Sequence, residues 1–261
     1  MTSTLSRLLS LSAVTAIAHR GGGGLRPENT LTAFDHAVSL GVDALECDVH
    51  LSRDGEVVII HDPTLDRTTD ARGEVASRTA ADLAGVDAGY HFGPEAGFPF
   101  RGQGIGVPRL ADLLGRWPEV PVVVEIKGDR PETAARVIEV IREARAEHRV
   151  IVGGFSLRVL ATIRRLAPGL VTSASSAESY SALRRSYVFI APRRPAFRLF
   201  QVPSRLRGRP VLTRRFVRTA RRAGLPVQVW VVDELEDMRR LIDWGVTGII
   251  TDRPDRALEV R

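Results

Sequence analysis

Short apolar runs alternate along this chain with stretches whose apolar residues recur at helical spacing. The runs read as strands buried on both faces, and the periodic stretches as amphipathic helices. Strand candidates are VTAIA (14–18), DALECDV, VVIIHD, VPVVVEIK, RVIVGGF, LVTSAS, PVQVWVV and TGIITD. Between the first two, PENTLTAFDHAVSLG carries helix-start residues (Pro27, Asn29, Thr30). It sets Leu31, Phe34 and Val38 on one face and stops at Gly41. RPETAARVIEVIREARAEH predicts a long helix with Asp129 as cap and Pro131 in its first turn. LADLLGRW, LRVLATIRRLAPG, AESYSALRRS, TRRFVRTARRAG and DELEDMRRLIDWG read as further helices, and a short one closes the chain. Residues 63–107 are irregular and glycine-rich, with one short helix near TAADLAG, and read as an insertion or lid. In 186–212, both YVFIAP and RLFQVP are strand candidates.

Eight βα units in 261 residues is the arithmetic of a TIM barrel. The expected fold is therefore an α/β (β/α)8 barrel, a single domain over 1–261, with a small insertion after the third strand at about 63–107. A doubly wound sheet is the runner-up and would have fewer strands.

A hydrophobic content of 44% supports a large core, and no polar linker interrupts the alternation. The net charge is +6, and Lys127 is the only lysine among 37 basic residues. Arginines are densest from 184 to 222. Such an excess suits anionic ligands or surfaces. No nucleic-acid motif accompanies it, so nucleic-acid binding is disfavoured. Peripheral contact with an anionic membrane, which would admit lysophospholipids, is left open. Cys47 is the single cysteine, which excludes an internal disulfide and a thiolate metal cage. LSRLLSLSAVTAIA is too short and serine-broken for a signal peptide, and no stretch approaches the ~20 apolar residues of a membrane span. A cytoplasmic protein is expected.

In a barrel the active site lies at the carboxyl ends of the strands. Those ends carry His19-Arg20, Glu46 and Asp48, His61-Asp62, Glu125 and Lys127, Gly154-Phe155-Ser156, Trp230 to Asp233, and Thr251-Asp252. Residues i and i+2 share a strand face, so Glu46 points with Asp48 and Glu125 with Lys127. Three converging carboxylates repel one another, and a hard divalent cation bound through oxygen, Mg²⁺ or Ca²⁺, would compensate them. Arg20 and Lys127 can then grip an anionic substrate. His19 and His61, with ordinary pKa values near neutrality, can take a proton from one oxygen and deliver one to another. Together these groups describe hydrolysis at phosphorus. Only a short span separates Asp48 from His61, too little for a helical crossover, so this stretch is either a hairpin or an extended connection.

AHRGGGGLRPENTLTAF, GVDALECDVHLSRDGEVVIIHDPTLDRTTD, VVVEIKG, VQVWVVD and GIITDRP resemble the glycerophosphodiester phosphodiesterase family, in order, from about residue 16 to 257. The resemblance implies a TIM-barrel hydrolase that cleaves glycerophosphodiesters to sn-glycerol 3-phosphate and an alcohol. It implies His19 and His61 as the acid–base pair, Glu46, Asp48 and Glu125 as metal ligands, and Arg20 and Lys127 as phosphate contacts. It also implies Trp230 in the substrate pocket and 63–107 as an insertion covering the site. Gly154-Phe155 and Asp233 depart from the family pattern and could alter the head group accepted. A lysophospholipase D acting at membrane surfaces and a non-catalytic phosphodiester-binding barrel are the alternatives; the complete set of acids and histidines argues against the second.

The remaining polar residues are expected in lesser roles. Asp252 caps the last strand, Asp62 orients a neighbour, Asn29 caps its helix and Glu28 could reach the site. His36, His50, His91 and His148 are expected on surfaces or loops, Cys47 in the core, and the GGGG run in a flexible loop.

Overall fold

The most continuous apolar run, VVVEI, becomes β4 (Val122–Ile126) in this computed structural model, which describes residues 5–206, 209–210 and 212–261. It lies between β2 (Ala44–Leu51) and β5 (Val150–Gly154), parallel to both. Only a strand covered on two sides needs apolar residues on both faces. The sheet continues from β2 through β1 (Thr15–Ala18), β11 (Gly248–Thr251) and β10 (Val227–Trp230) to β7 (Phe200–Pro203), and from β5 to β6 (Val171–Thr172). Its two edges meet where Ser173 bridges Leu199 in parallel and the Ala174 N–H donates to the Leu199 carbonyl at 3.0 Å. The parallel strands thus close into a (β/α)8 barrel.

Helices connect the barrel strands. They are α1 (Leu31–Leu40), α3 (Leu110–Arg116), α4 (Pro131–Glu143), α5 (Leu157–Leu166), α6 (Ser176–Ser186), α7 (Arg214–Arg222), α8 (Leu235–Asp243) and the closing α9 (Pro254–Val260); α2 (Ala80–Ala84) lies in the insertion. Leu45, Cys47, Val49, Val122 and Val124 face outward and pack against Phe34, Leu110 and Val137 of the helix layer. Ile17, Ala44, Val123, Ile151, Leu199 and Ile250 form an inner cluster with Leu5 and Leu8, whose segment reaches Gln228 through the Leu8 carbonyl at 3.2 Å. Two residues beyond these inner positions stand His19, Glu46, Glu125 and Asp252. The strand period therefore puts apolar residues in the barrel and ionisable ones at its mouth.

The span after Asp48 is a hairpin: β3 (Val57–Ile59) pairs antiparallel with β2, with Val49 opposite Ile59, and the Ile60 N–H donates to the Asp48 carbonyl at 3.0 Å. The insertion that follows has its own apolar cluster, including Leu65, Val75, Leu83 and Val107.

Three local expectations are corrected. Asp129 does not cap α4; Arg130 holds the cap position, and Asp129 instead accepts from the Ser156 hydroxyl. YVFIAP is an exposed turn after α6, whereas the end of RLFQVP forms β7. The remainder of 186–212 holds β8 (Arg205–Leu206) and β9 (Arg209–Pro210), a small antiparallel pair off the barrel, while 207, 208 and 211 lie outside the described residues. The glycine run is tied down: the Gly22 N–H donates to the His19 carbonyl at 2.8 Å, and the Gly24 N–H to that of Asp252 at 3.1 Å. At Gly21, φ is +81° and a Cβ would lie 2.8 Å from the Ala33 Cβ, so no larger residue fits.

Candidate active site

In the β2–β4 register Asp48 stands opposite Glu125, and Glu46 lies two residues earlier on the same face. Ligand oxygens of Glu46, Asp48 and Glu125 all fall within 4.8 Å of one another. Glu46 and Asp48 are buried and Glu125 is half-buried. Asp48 is well supplied with partners. Lys127 Nζ lies 2.8 Å from its Oδ1 and Arg20 Nε 3.0 Å from its Oδ2, although that N–H is not aimed to form a hydrogen bond. Lys127 also pairs with Glu125. Burial pushes Asp48 up, but Lys127, Arg20 and a hydrogen bond from Asn29 hold it below the usual carboxylate value.

Glu46 differs. Its Oε2 accepts the Arg20 backbone N–H at 2.9 Å. Burial and then the charge of Asp48 raise it to about 8. A buried carboxylate beside two others, all offering oxygen, fits a hard divalent cation and would be returned to its charged form by one.

Both predicted histidines reach the same mouth and are held alike. His19 Nδ1 bonds Asp252 Oδ1 at 2.8 Å, and His61 Nδ1 bonds Asp62 Oδ1 at 2.5 Å. Burial pushes His19 towards the neutral form, but the bond to Asp252 and the charge of Glu46 outweigh it, and its pKa rises. Asp252 orients a catalytic candidate rather than merely capping a strand. Asp233, expected near the head group, supports Asp252 from behind: its Oδ1 accepts the Asp252 N–H at 2.9 Å and the Thr251 hydroxyl at 2.8 Å.

One cavity is lined by His19, Arg20, Glu46, Asp48, His61, Glu125, Lys127 and Trp230. All eight predicted site residues therefore meet. Trp230 stacks edge-to-face on Phe155, with centroids 5.8 Å apart. The insertion supplies none of the residues that line the cavity. Its contribution is Arg67, which donates to Asp62 Oδ2 at 2.6 Å and to both oxygens of Glu28 at 2.8 Å; Glu28 in turn holds Arg20 at 2.8 Å.

Sequence reasoning assigned no role to Arg67, whose partner Glu28 is remote in sequence, and misplaced Asn29 and His50. Thr30, not Asn29, caps α1. Asn29 bonds Asp48, and its presence just before the cap, in the PENT motif, was the available signal. His50 lies on β2, half-buried, with Nε2 3.0 Å from the His61 carbonyl.

A closed barrel with acids, imidazoles and cations gathered at its mouth is the architecture of a barrel phosphodiesterase. Residues 19–256 match the glycerophosphoryl diester phosphodiesterase family, and the chain belongs to that family. It is similar to the glycerophosphodiester phosphodiesterase of Caldanaerobacter subterraneus subsp. tengcongensis, at 34% identity over 94% of this chain and 96% of the relative. It also resembles the crystal structure of glycerophosphodiester phosphodiesterase from Agrobacterium tumefaciens, with a TM-score of 0.75 and 27% identity, covering 95% of this chain and 100% of the other. An Oleispira antarctica phosphodiesterase, solved with the product sn-glycerol-3-phosphate, matches with a TM-score of 0.75 and 25% identity, covering 95% of this chain and 96% of the other. This chain is accordingly an enzyme that hydrolyses glycerophosphodiesters. Among the described residues, no helix is long and apolar enough to cross a membrane.

Proposed function

We propose that His19 and His61 are the acid–base pair of this reaction, with Glu46, Asp48 and Glu125 binding Mg²⁺ or Ca²⁺, Arg20 and Lys127 holding the phosphate, and Trp230 lining the substrate pocket. The observation that carries this reading is the matched pair of Nδ1–carboxylate bonds, His19 to Asp252 and His61 to Asp62. With Nδ1 committed to a carboxylate, Nε2 of each ring is the atom left to accept or give a proton. One imidazole takes the proton of the attacking oxygen as its bond to phosphorus forms. The other protonates the leaving alcohol as the old P–O bond breaks. Arg20 and Lys127, already fixed against the acids, present positive charge where the phosphoryl oxygens gather it. A divalent ion on the three carboxylates, when bound, polarises a phosphoryl oxygen.

The substrate is proposed to be a small glycerophosphodiester such as glycerophosphocholine, giving sn-glycerol 3-phosphate, the product carried by the Oleispira relative. The chain is proposed to act as one domain over 1–261, in the cytoplasm.

Purified protein should release glycerol 3-phosphate from glycerophosphocholine with Mg²⁺ or Ca²⁺. EDTA should abolish the release, and added metal should restore it. His19→Ala and His61→Ala should each lose about 10²–10⁴-fold in kcat while keeping the fold. Unchanged turnover in either variant removes that histidine from the mechanism.

A further inference from the structure

The catalytic cavity has two unlike halves. Its charged side chains run from His19 to Lys127, at the mouths of β1 to β4. From Gly154 to Ile250 its lining carries no charge. Gln201 of β7 lies in this neutral half, opposite Gln228 of β10. Gln201 Nε2 donates to Gln228 Oε1 at 2.9 Å, and Gln228 Nε2 donates to the Leu8 carbonyl at 3.2 Å. A backbone carbonyl can only accept, so it requires the amino end of Gln228. The oxygen of Gln228 then faces Gln201 and requires its amino end in turn. Gln228 is fully buried, so no solvent is at hand to reverse the chain.

What remains is Gln201 Oε1, to which nothing donates among the described residues. Gln201 is half-buried and lines the cavity. A Cβ on Gly153, which pairs with Glu125 across β4 and β5, would come 3.0 Å from Gln201 Oε1 and 3.4 Å from Ser173 Oγ. The absent side chain keeps the space before both oxygens open, next to the strand that carries Glu125. A substrate such as glycerophosphocholine has few groups to meet a fixed acceptor. Its phosphate is an anion without a proton, and its quaternary ammonium has no N–H. Only the glycerol hydroxyls can donate.

We propose that Gln201 is a specificity-determining residue: its Oε1, aimed by Gln228 and the Leu8 carbonyl, accepts a hydrogen bond from a glycerol hydroxyl while the charged half of the cavity holds the phosphate. The proposal rests on the hydrolytic reading above. The N-terminal segment thereby acts on the reaction from a distance, because the Leu8 carbonyl sets the direction of both amides. A diester without hydroxyls leaves Gln201 Oε1 without a donor, and a site arranged around a hydrogen bond rejects an analogue that cannot make it.

Steady-state kinetics of the full chain compare glycerophosphocholine with propylphosphocholine, the same diester with neither hydroxyl, followed both as substrate and as competitive inhibitor. The wild type should favour glycerophosphocholine by about tenfold or more. Gln201→Leu should lose about tenfold in kcat/KM on glycerophosphocholine and little on propylphosphocholine, so the preference shrinks by that factor. Gln201→Leu alone strands the buried Gln228 oxygen, so Gln201→Leu/Gln228→Leu is measured beside it; removing both partners together spares the fold, and the preference should shrink equally. A purely structural role for the amide pair would weaken both compounds alike. That outcome overturns the proposal, as does a wild type that takes the two diesters equally well. A wild type that hydrolyses neither strikes the hydrolytic reading instead, so the two failures are separable.

Discussion

Asn29 grips Asp48 at two points: its Nδ2 donates to Asp48 Oδ2 at 2.9 Å, and its Oδ1 accepts the Asp48 N–H at 3.2 Å. The backbone at Asn29 is left-handed, with φ +58°, which asparagine tolerates better than most residues. This clamp fixes the carboxylate that also receives Lys127 and Arg20. With Asp48 in the proposed metal set, Asn29→Ala should weaken divalent-ion affinity by about 10–100-fold. Excess metal should recover most of the activity. Titration calorimetry on chelator-treated protein would measure the loss, and unchanged affinity would separate Asn29 from the metal site.

Arg67 joins the two halves of the site. One guanidinium fork holds Asp62, which orients His61, and Glu28, which holds Arg20. Burial pushes Asp62 up, but Arg67 and His61 bring it down to about 2. Arg67→Met should lower kcat about tenfold or more through misplaced imidazole and guanidinium. Arg67→Lys should not rescue it, because an ammonium cannot serve two carboxylates in fork geometry. Steady-state kinetics decide this; full activity in the lysine variant would show that charge alone suffices.

The alternation of strands and helices was legible because a parallel barrel strand is apolar on both faces and stops being so at the mouth. VVVEIK displays that change within one strand. The shared faces of Glu46 with Asp48 and of Glu125 with Lys127 followed from the strand period alone. What was not legible depended on partners distant in sequence. The bonds from Arg67 to Glu28 leave no local pattern, and of the Asn29–Asp48 clamp only the PENT motif gives a hint. The hairpin after Asp48 and an extended crossover satisfy the same spacing, and only the pairing of Val49 with Ile59 decides between them. YVFI has strand propensity, but Ser173 and Leu199 already close the barrel there, so the run has no place in the sheet.

Arg149 is buried and ties α3 to the turn before β4, donating to the Leu114 carbonyl at 2.6 Å and the Val120 carbonyl at 2.9 Å. Arg149→Met keeps much of the aliphatic stem but leaves both carbonyls without these donors. The expected loss is about 2–4 kcal/mol of stability. It should appear as a lower urea midpoint with an unchanged slope.

Glu178 links stability to pH. It accepts two bonds from Arg164, at 2.8 and 3.1 Å, and also the Ser175 N–H at 2.8 Å. Arg164 bonds the Thr172 hydroxyl at 2.9 Å, so α5, β6 and α6 are tied together. Burial pushes Glu178 up, but Arg164 and Ser175 outweigh it, and the folded pKa lies below the ordinary 4.5. For a depressed carboxyl, the unfolded chain binds the proton first as pH falls. The stabilisation is therefore complete above about 4.5, the unfolded value, and is lost as pH falls through the lower folded value. Glu178→Gln should cost about 1 kcal/mol at neutral pH, a figure kept small because the pair is partly solvated. Melting curves of the two proteins should converge only as pH falls through the depressed folded value of Glu178, below 4.5, where the wild-type carboxyl takes up its proton. A gap in Tm that stays constant from neutral to acid pH would show that the charge of Glu178 contributes nothing and that only its hydrogen-bond geometry matters.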